Sequence, residues 1–248
     1  AAVGLNNIGF VYHDWGQYDK ALKYYEEALA IDKRLGQEAG VAVGLNNIGK
    51  VYSDWGQYDK ALKYYEEALA IDKRLGEEAD IGLSLNNIGA VYDDWGQYDK
   101  AIKYYEEALA TLKKLGQEAS VALCLNNIGG VYHSWGQYDK AIKYYEEALA
   151  IARKLGQEAD VALYLNNIGG VYYLQGKYKT ATKFLIDSIS MKEKLRKTAT
   201  GDVRRDYLAS QLGTYQLLTS VYIMDSDFPG AFQTVELSRA KLLAERLA

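Results

Sequence analysis

Small and apolar residues recur along this chain at the spacing of an α-helix. A first set shares one helical face at positions i, i+3, i+4 and i+7, and it consists of Leu5, Ile8, Gly9 and Tyr12. A second set has similar spacing and consists of Ala21, Tyr25, Ala28 and Leu29. Gly16 separates the two sets and Gly36 follows the second. Glycine suits the end of a helix because it adopts positive φ without steric cost. The pattern predicts two consecutive helices.

This helix pair repeats with a period of 40 residues. The units span residues 2–41, 42–81, 82–121, 122–161 and a diverged 162–201. Residues 202–248 read as a degenerate sixth pair, best matched over 207–246. The chain contains one proline, Pro229, which fits long uninterrupted helices. The sequence therefore predicts an all-α fold built from repeated helix pairs.

The units resemble tetratricopeptide repeats. The matching positions in the first unit are Leu5, Ile8-Gly9, Tyr12, Gly16-Gln17-Tyr18, Ala21, Tyr25 and Ala28. The resemblance implies an α-solenoid of stacked helix-turn-helix units that forms a right-handed superhelix and binds extended peptides in a concave groove. The usual period is 34 residues, and the usual proline is replaced here by Lys33, Lys73, Lys113 and Arg153. The units are therefore most similar to the long 40-residue subclass of spindle-orientation adaptors and, more loosely, of kinesin light chains.

Comparison between the units indicates where ligand side chains would be read. The units are nearly identical, so the positions that still differ stand out, and they cluster on one face of each first helix. By the resemblance this face lines the groove. The residues predicted to contact a ligand there are Phe10, Lys50, His13, Asp14, Asp54, Asp93, Asp94, His133, Tyr173 and Leu174. The first three units are acidic on this face, and the fifth is small and apolar, so we expect a peptide that is basic at one end and apolar at the other.

Two adjacent asparagines occur in the segment LNNIG of every unit. Asparagine is a poor helix former: in a helix interior it costs about 0.5 kcal/mol of stability relative to alanine. We therefore expect these side chains to have a role that offsets this cost. The first asparagine lies on the groove face in every unit and would form a ladder for the main chain of a peptide, through Asn6, Asn46, Asn86, Asn126 and Asn166. The alternative is that these side chains bond only between stacked helices. For the second asparagine, represented by Asn7, we expect bonding between repeats.

Composition and charge exclude several classes of function. The net charge is −4, so nucleic acid is a poor partner. No apolar run is long enough to cross a membrane. A single cysteine, Cys124, favours a reducing compartment, and we expect a cytoplasmic protein. Motifs of nucleotide-binding loops, metalloproteases and serine hydrolases do not occur, so we expect no enzyme and no cofactor.

Three other residue types have structural interpretations. The two histidines, His13 and His133, lie three repeats apart, too far to share a metal, so no metal site is expected. Cys124 is predicted to be a small core residue. Tryptophans end the first helix of four units and are predicted to pack in the core or as staples. They are Trp15, Trp55, Trp95 and Trp135.

Three functions remain open at this stage. The first is a protein-interaction module that holds an extended peptide or a partner helix. The second is a scaffold or spacer that assembles end to end, since the first unit has no capping repeat before it. The third follows from the closing stretch AFQTVELSRAKLLAERLA, which is similar to the helix before caspase-like CHAT domains in bacterial repeat proteins. It implies a regulatory region in a longer protease, and we expect the chain to be a piece of a longer protein.

Overall fold

A computed structural model describes the backbone of residues 1–199 and 201–247 and the side chains of residues 1–199 and 208–243. Within these ranges the regular structure consists of α-helices in sequential antiparallel pairs, as the periodicity predicts. The helices are α1 (Ala2–Asp14), α2 (Tyr18–Leu35), α3 (Glu38–Asp54), α4 (Tyr58–Leu75), α5 (Glu78–Asp94), α6 (Tyr98–Lys114), α7 (Glu118–Ser134), α8 (Tyr138–Leu155), α9 (Glu158–Leu174), α10 (Tyr178–Thr198), α11 (Gly201–Met224) and α12 (Phe228–Leu247).

The helices form two compact units, Ala1–Val131 and Tyr132–Ala248, which we call the N-terminal and C-terminal units. In the N-terminal unit each helix from α1 to α5 packs on the next one along the chain. In the C-terminal unit α9 packs on α8 and α10, and α11 packs on α10 and α12. Weaker contacts join α3 to α5 and α9 to α11. The odd-numbered helices of each unit therefore lie side by side.

Glycines end the helices where the sequence predicts. Gly16 has φ 67° and Gly36 has φ 66°, both in the left-handed region that glycine occupies freely. At the first turn, the N–H of Gly16 donates to the carbonyl of His13 and the N–H of Gln17 donates to the carbonyl of Tyr12. These bonds use carbonyls that the end of α1 leaves free. The chain then reverses within three residues.

A second class of glycine brings the two helices of a pair together. A Cβ placed on Gly89 would lie 2.9 Å from the ring of Tyr105, and one on Gly49 would lie 3.0 Å from Tyr65. Both tyrosines are buried, at 2 % exposure. Each ring thus rests on bare backbone of the partner helix, a close approach that a side chain would prevent.

Buried leucine, isoleucine, valine and alanine side chains complete the core. Ile48 and Val51 of α3 have no exposed surface, and neither does Ala21 of α2. The last pair follows the same scheme with Tyr215, Leu218 and Ala231, which are at most 7 % exposed. Phe228 has the spacing of a packing residue of the repeat, but it begins α12 and is 65 % exposed.

Replacing the glycine under a tyrosine is expected to destabilise the fold. In Gly89→Ala the new methyl group would overlap the ring of Tyr105, at a cost of about 1–3 kcal/mol in the free energy of unfolding. The matched control is Gly213→Ala in α11, where a Cβ has no neighbour within 4 Å. That change should stabilise by up to about 1 kcal/mol, because alanine is the better helix former. Urea unfolding followed by circular dichroism measures both, and equal midpoints for the two variants would contradict the packing described.

Candidate ligand-binding face

Among the described residues, one face of each odd-numbered helix from α1 to α9 is left uncovered. In α3 it consists of Val43, Asn47, Lys50 and Asp54, at i, i+4, i+7 and i+11, while the intervening Leu45, Ile48 and Val51 are buried. We call these four positions and their equivalents 40 residues apart the open face. It contains the predicted groove residues Phe10, Asp14, Lys50, Asp54, Asp94 and Leu174. The remaining predicted residues lie beside it.

A column of exposed aliphatic residues runs along the open face, and the sequence analysis missed it. Its members in the N-terminal unit are Val3, Val43, Leu83 and Leu123, which are 73, 53, 50 and 49 % exposed. Leu163 holds the same position in the C-terminal unit, at 42 %. The sequence does contain a sign of this column. The position three residues before the first asparagine is apolar in all five 40-residue units, although it lies outside the stripe of residues that packs the helix pair. Repeated apolar exposure of this kind is typical of a binding surface.

The first asparagine of each unit was expected on this face, but it is half-buried and lies at the edge of the open face, whereas the second, represented by Asn47, lies on it. The Nδ2 atom of Asn46 is 3.4 Å from the Oγ of Ser84 in α5. Asn86 accepts a bond of 3.1 Å from the Nδ2 of Asn127. In the C-terminal unit, Asn166 accepts a bond of 2.8 Å from the hydroxyl of Thr214.

These bonds join stacked helices, which is one of the two roles that the sequence left open. They show a structural use for Asn46, Asn86 and Asn166. The bond from Asn127 is also an instance of the bonding between repeats expected of the second asparagine. A carboxamide has two donor hydrogens and two acceptor sites, and one bond does not use them all. A role for the first asparagines in holding a ligand main chain stays a prediction.

The acidic residues form a cluster on the N-terminal unit. Asp54 bonds to the His13 Nε2 at 2.8 Å and to the Lys50 Nζ at 2.7 Å. Burial raises the pKa of Asp93 to about 6, with a further contribution from the adjacent Asp94. The pKa of Asp94 is also raised, chiefly by burial; Lys50 lowers it and Asp54 raises it. This end of the open face thus carries carboxylates that a basic ligand would stabilise.

The predicted residues of the C-terminal unit have a different character. The ring of Tyr173 is half-buried and lies 6.1 Å from that of Tyr178, while Leu174 is 49 % exposed. The ring of His133 lies 6.3 Å from that of Tyr138, and burial lowers the pKa of His133. Within the described residues, three or more side chains of His, Cys, Asp or Glu nowhere form a group suited to a metal.

The four tryptophans and Cys124 make packing contacts with other parts of the repeats. Trp15 is 64 % exposed and the other three tryptophans are each 39 % exposed, so they are not core residues. Two of them pack as staples between neighbouring repeats: the ring of Trp55 lies 5.7 Å from that of Tyr18, and the ring of Trp95 lies 5.8 Å from that of Tyr58. Cys124 is buried, as predicted, and its thiol contacts the carbonyl oxygen of Tyr105 at 3.2 Å. Burial raises the pKa of this thiol to about 12, which disfavours the nucleophilic thiolate form.

Comparisons with known proteins identify the repeat. Two sequence models described as Tetratricopeptide repeat match the chain, one over residues 1–74 and 119–194 and the other over residues 83–112. A comparison with curated protein sequences gives no significant match. None of the described helices is long and apolar enough to pass through a membrane.

Several solved structures share the fold. BtubC (BKLC) from P. vanneervenii is 23 % identical with a TM-score of 0.80, and the match covers 92 % of each chain. A putative kinesin light chain from Podosopora anserina is 18 % identical with a TM-score of 0.65, over 79 % of this chain and 96 % of that one. A Rap protein complexed with Competence and Sporulation Factor is 18 % identical with a TM-score of 0.67, over 97 % and 75 %. At these identities the likeness shows a shared fold. These matches give no support to the CHAT resemblance of the last helix.

Removing the charge of Asp93 is expected to stabilise the protein at neutral pH. Because the folded-state pKa is raised, the protonated carboxyl suits the fold, and the unfavourable contribution grows as the pH rises from about 4 through about 6. Asp93→Asn should therefore add roughly 1 kcal/mol at pH 7, after allowance for solvent screening of a half-buried group, and less at pH 4.

The control is Asp14→Asn, at an exposed position near the end of α1. It reports any gain that comes only from removing a negative charge near a helix C-terminus. Urea unfolding at pH 4 and pH 7 gives the comparison. A gain for Asp93→Asn that does not change with pH would contradict the raised pKa.

Proposed function

Because the chain belongs to the tetratricopeptide repeat family, we propose that it is a protein-interaction module that holds an extended peptide on the open face. The observation that carries this proposal is the coincidence of three features on one uncovered surface. These are the aliphatic column that includes Leu83, half-buried carboxamides beside it, and the carboxylates of Asp54 and Asp94. We also propose that the chain is divided into five 40-residue units and a degenerate sixth helix pair, as the sequence predicts.

Each feature has a counterpart in an extended peptide. Aliphatic side chains of the ligand would cover the exposed column, since removal of apolar surface from water is favourable. Carboxamides that are not fully used within the fold would bond to the ligand's main chain. Lysine or arginine side chains would pair with the carboxylates of the N-terminal unit. Apolar side chains suit the C-terminal unit, where Leu174 is exposed.

The family and the shared fold support this proposal. Tetratricopeptide repeats are generally protein-interaction modules, and the Rap protein of the same fold was solved in complex with Competence and Sporulation Factor. A few hydrogen bonds at about 1 kcal/mol each, together with modest apolar burial, suggest micromolar affinity. Attraction by the exposed carboxylates should weaken as salt rises.

A peptide array tests the proposal. We expect the chain to select extended peptides with basic and aliphatic residues from a synthetic array of random 12-residue sequences. For the best of them, Leu83→Ser should weaken binding several-fold, because it removes part of the aliphatic column. Asp94→Asn should weaken binding at low salt more than at high salt. Fluorescence anisotropy with a labelled peptide measures both effects.

The matched control is Leu115→Ser, at an exposed leucine that lies outside the open face. It should leave affinity unchanged. Alanine at Asn46 is a weaker test, because this change also removes the contact to Ser84 and lowers stability. Equal affinities for Leu83→Ser, Asp94→Asn and the parent chain would contradict the open face as the binding site.

Self-association is a second candidate function, favoured by the surface of α1. Ile8 and Val11 are each 43 % exposed, whereas the equivalent Ile48 and Val51 are fully buried. A second copy of the chain would cover this apolar surface, in keeping with an assembly that joins copies through their repeats.

Sedimentation velocity over a range of concentrations tests self-association. We expect the parent chain to sediment faster as its concentration rises, and Val11→Lys to remove this dependence because a charge would be placed in the apolar contact. The control is Lys23→Ala in α2, which changes charge away from the surface of α1. Monomer at every concentration for the parent chain would contradict this second function.

A further inference from the structure

Two ion pairs connect neighbouring helices at one edge of the N-terminal unit. The ammonium group of Lys73, near the end of α4, lies 3.9 Å from the carboxylate of Glu107 in α6. The ammonium group of Lys114, at the end of α6, lies 2.6 Å from the carboxylate of Glu78 in α5. Charged side chains of successive helices therefore face each other at this edge of the fold.

Two repeats further along the chain, the first of these pairs is replaced in both members. Arg153 stands at the position of Lys73, and Asp187 stands at that of Glu107. The preceding units all have lysine at the first position and glutamate at the second. Nearby, Ser190 stands where those units have alanine. Three substitutions thus coincide at one place in the C-terminal unit.

A cavity lies at this place. It has a volume of about 460 Å³ and is lined by residues from the end of α8, the start of α9 and α10. Arg153 and Asp187 both line it, while Val161, Leu165 and Met191 contribute apolar surface. Val161 and Leu165 are at most 5 % exposed, so the inner part of the cavity reaches the core. Cavities of about 300–1,000 Å³ are typical of sites that bind small molecules.

Two charges of opposite sign are accessible in this cavity. Glu158 and Lys194 also line it, but they pair with each other, as their equivalents do in the N-terminal unit. The side chains of Arg153 and Asp187 lie in exposed residues, so a ligand from solution can reach both. The lining therefore presents one cation and one anion beside an apolar surface.

We propose that this cavity binds a small zwitterion with an apolar side chain, namely a free amino acid or a dipeptide. Its carboxylate would accept hydrogen bonds from Arg153, because a planar guanidinium offers two parallel N–H donors to a carboxylate. Its ammonium group would donate to the carboxylate of Asp187. Its side chain would lie against Val161 and Met191, since removal of apolar surface from water is favourable.

The arrangement favours a zwitterion over a ligand with one charge. An anion bound to Arg153 alone would be repelled by Asp187, and a cation bound to Asp187 alone would be repelled by Arg153. A zwitterion is attracted by both residues. None of the residues that line the cavity belongs to the open face, so this site is independent of the proposed peptide binding.

A titration with L-leucine tests the site directly. We expect saturable shifts of the backbone amide signals of Gly156, Leu165 and Ser190 in nuclear magnetic resonance spectra. N-acetyl-L-leucine lacks the ammonium group and L-leucinamide lacks the carboxylate. Each should bind at least about tenfold more weakly than L-leucine, because each loses a charged hydrogen-bonding partner.

Two variants separate the two ends of the ligand. Asp187→Asn should weaken L-leucine binding at least about tenfold, but it should not weaken binding of N-acetyl-L-leucine, which has no ammonium group. Arg153→Gln should weaken L-leucine binding to a similar extent, but it should not weaken binding of L-leucinamide, which has no carboxylate. Each variant is thus expected to lose the recognition of one end only.

The matched control is Glu107→Gln, which alters the equivalent carboxylate in the N-terminal unit and should leave L-leucine binding unchanged. Thermal unfolding of each variant verifies that it is folded. Equal affinities for L-leucine, N-acetyl-L-leucine and L-leucinamide would overturn the proposal. Equal L-leucine binding by the parent chain and either folded cavity variant would overturn it as well.

A further titration with L-alanyl-L-leucine distinguishes the two sources of the zwitterion. Tighter binding of L-leucine assigns the cavity to a free amino acid, and tighter binding of L-alanyl-L-leucine assigns it to a dipeptide. If neither compound shifts the amide signals of the cavity residues, the proposal is wrong.

Discussion

The close approach of the two helices in each pair is the constraint on which the rest of this structure depends. A tyrosine such as Tyr65 lies flat on the bare backbone at Gly49, and no side chain larger than glycine fits beneath it without displacement. This contact sets the distance between the helices, and a fixed distance allows Ile48 and Val51 to be wholly buried. Because the same contact recurs every 40 residues, with Leu185 replacing the tyrosine above Gly169, each repeat presents a nearly constant frame to its neighbours.

Variation is confined to the surfaces that this frame leaves free. Positions within a pair are nearly invariant, since any change of volume there would be felt by the close-packed core. The contact between one pair and the next tolerates substitutions that compensate each other. In one repeat, the buried Asp72 accepts a hydrogen bond from the hydroxyl of Ser84. In another, the small Ala152 stands at the position of Asp72 and the large Tyr164 at that of Ser84. Where Arg153 and Asp187 replace a lysine and a glutamate, a cavity lies between the helices.

The open face combines features that a binding surface requires. Its aliphatic column remains exposed at roughly half of each side chain, although nothing in the helix pair prevents a polar residue at those positions. Burial raises the pKa values of Asp93 and Asp94, and repulsion by neighbouring aspartates raises them further, from Asp94 on Asp93 and from Asp54 on Asp94. Both features carry an unfavourable free energy in the absence of a partner, which a basic and partly apolar peptide would relieve.

The sequence by itself determined the helices, their pairing and the place of each turn. These features depend on local periodicity and on turn glycines such as Gly16 and Gly36, and both can be recognised from a short stretch of sequence. It also predicted some of the residues that lie on the open face, such as Lys50, because they differ between units that are otherwise alike. Only the tertiary structure decided the partners of Asn46 and Asn166, the exposure of Trp55 and the cavity lined by Arg153 and Asp187. Each of these depends on a residue that another helix places opposite, between 12 and 48 positions away, as Ser84 opposite Asp72 and Thr214 opposite Asn166 illustrate. A helical period specifies which face a residue occupies, but it contains no information about the atom across the gap.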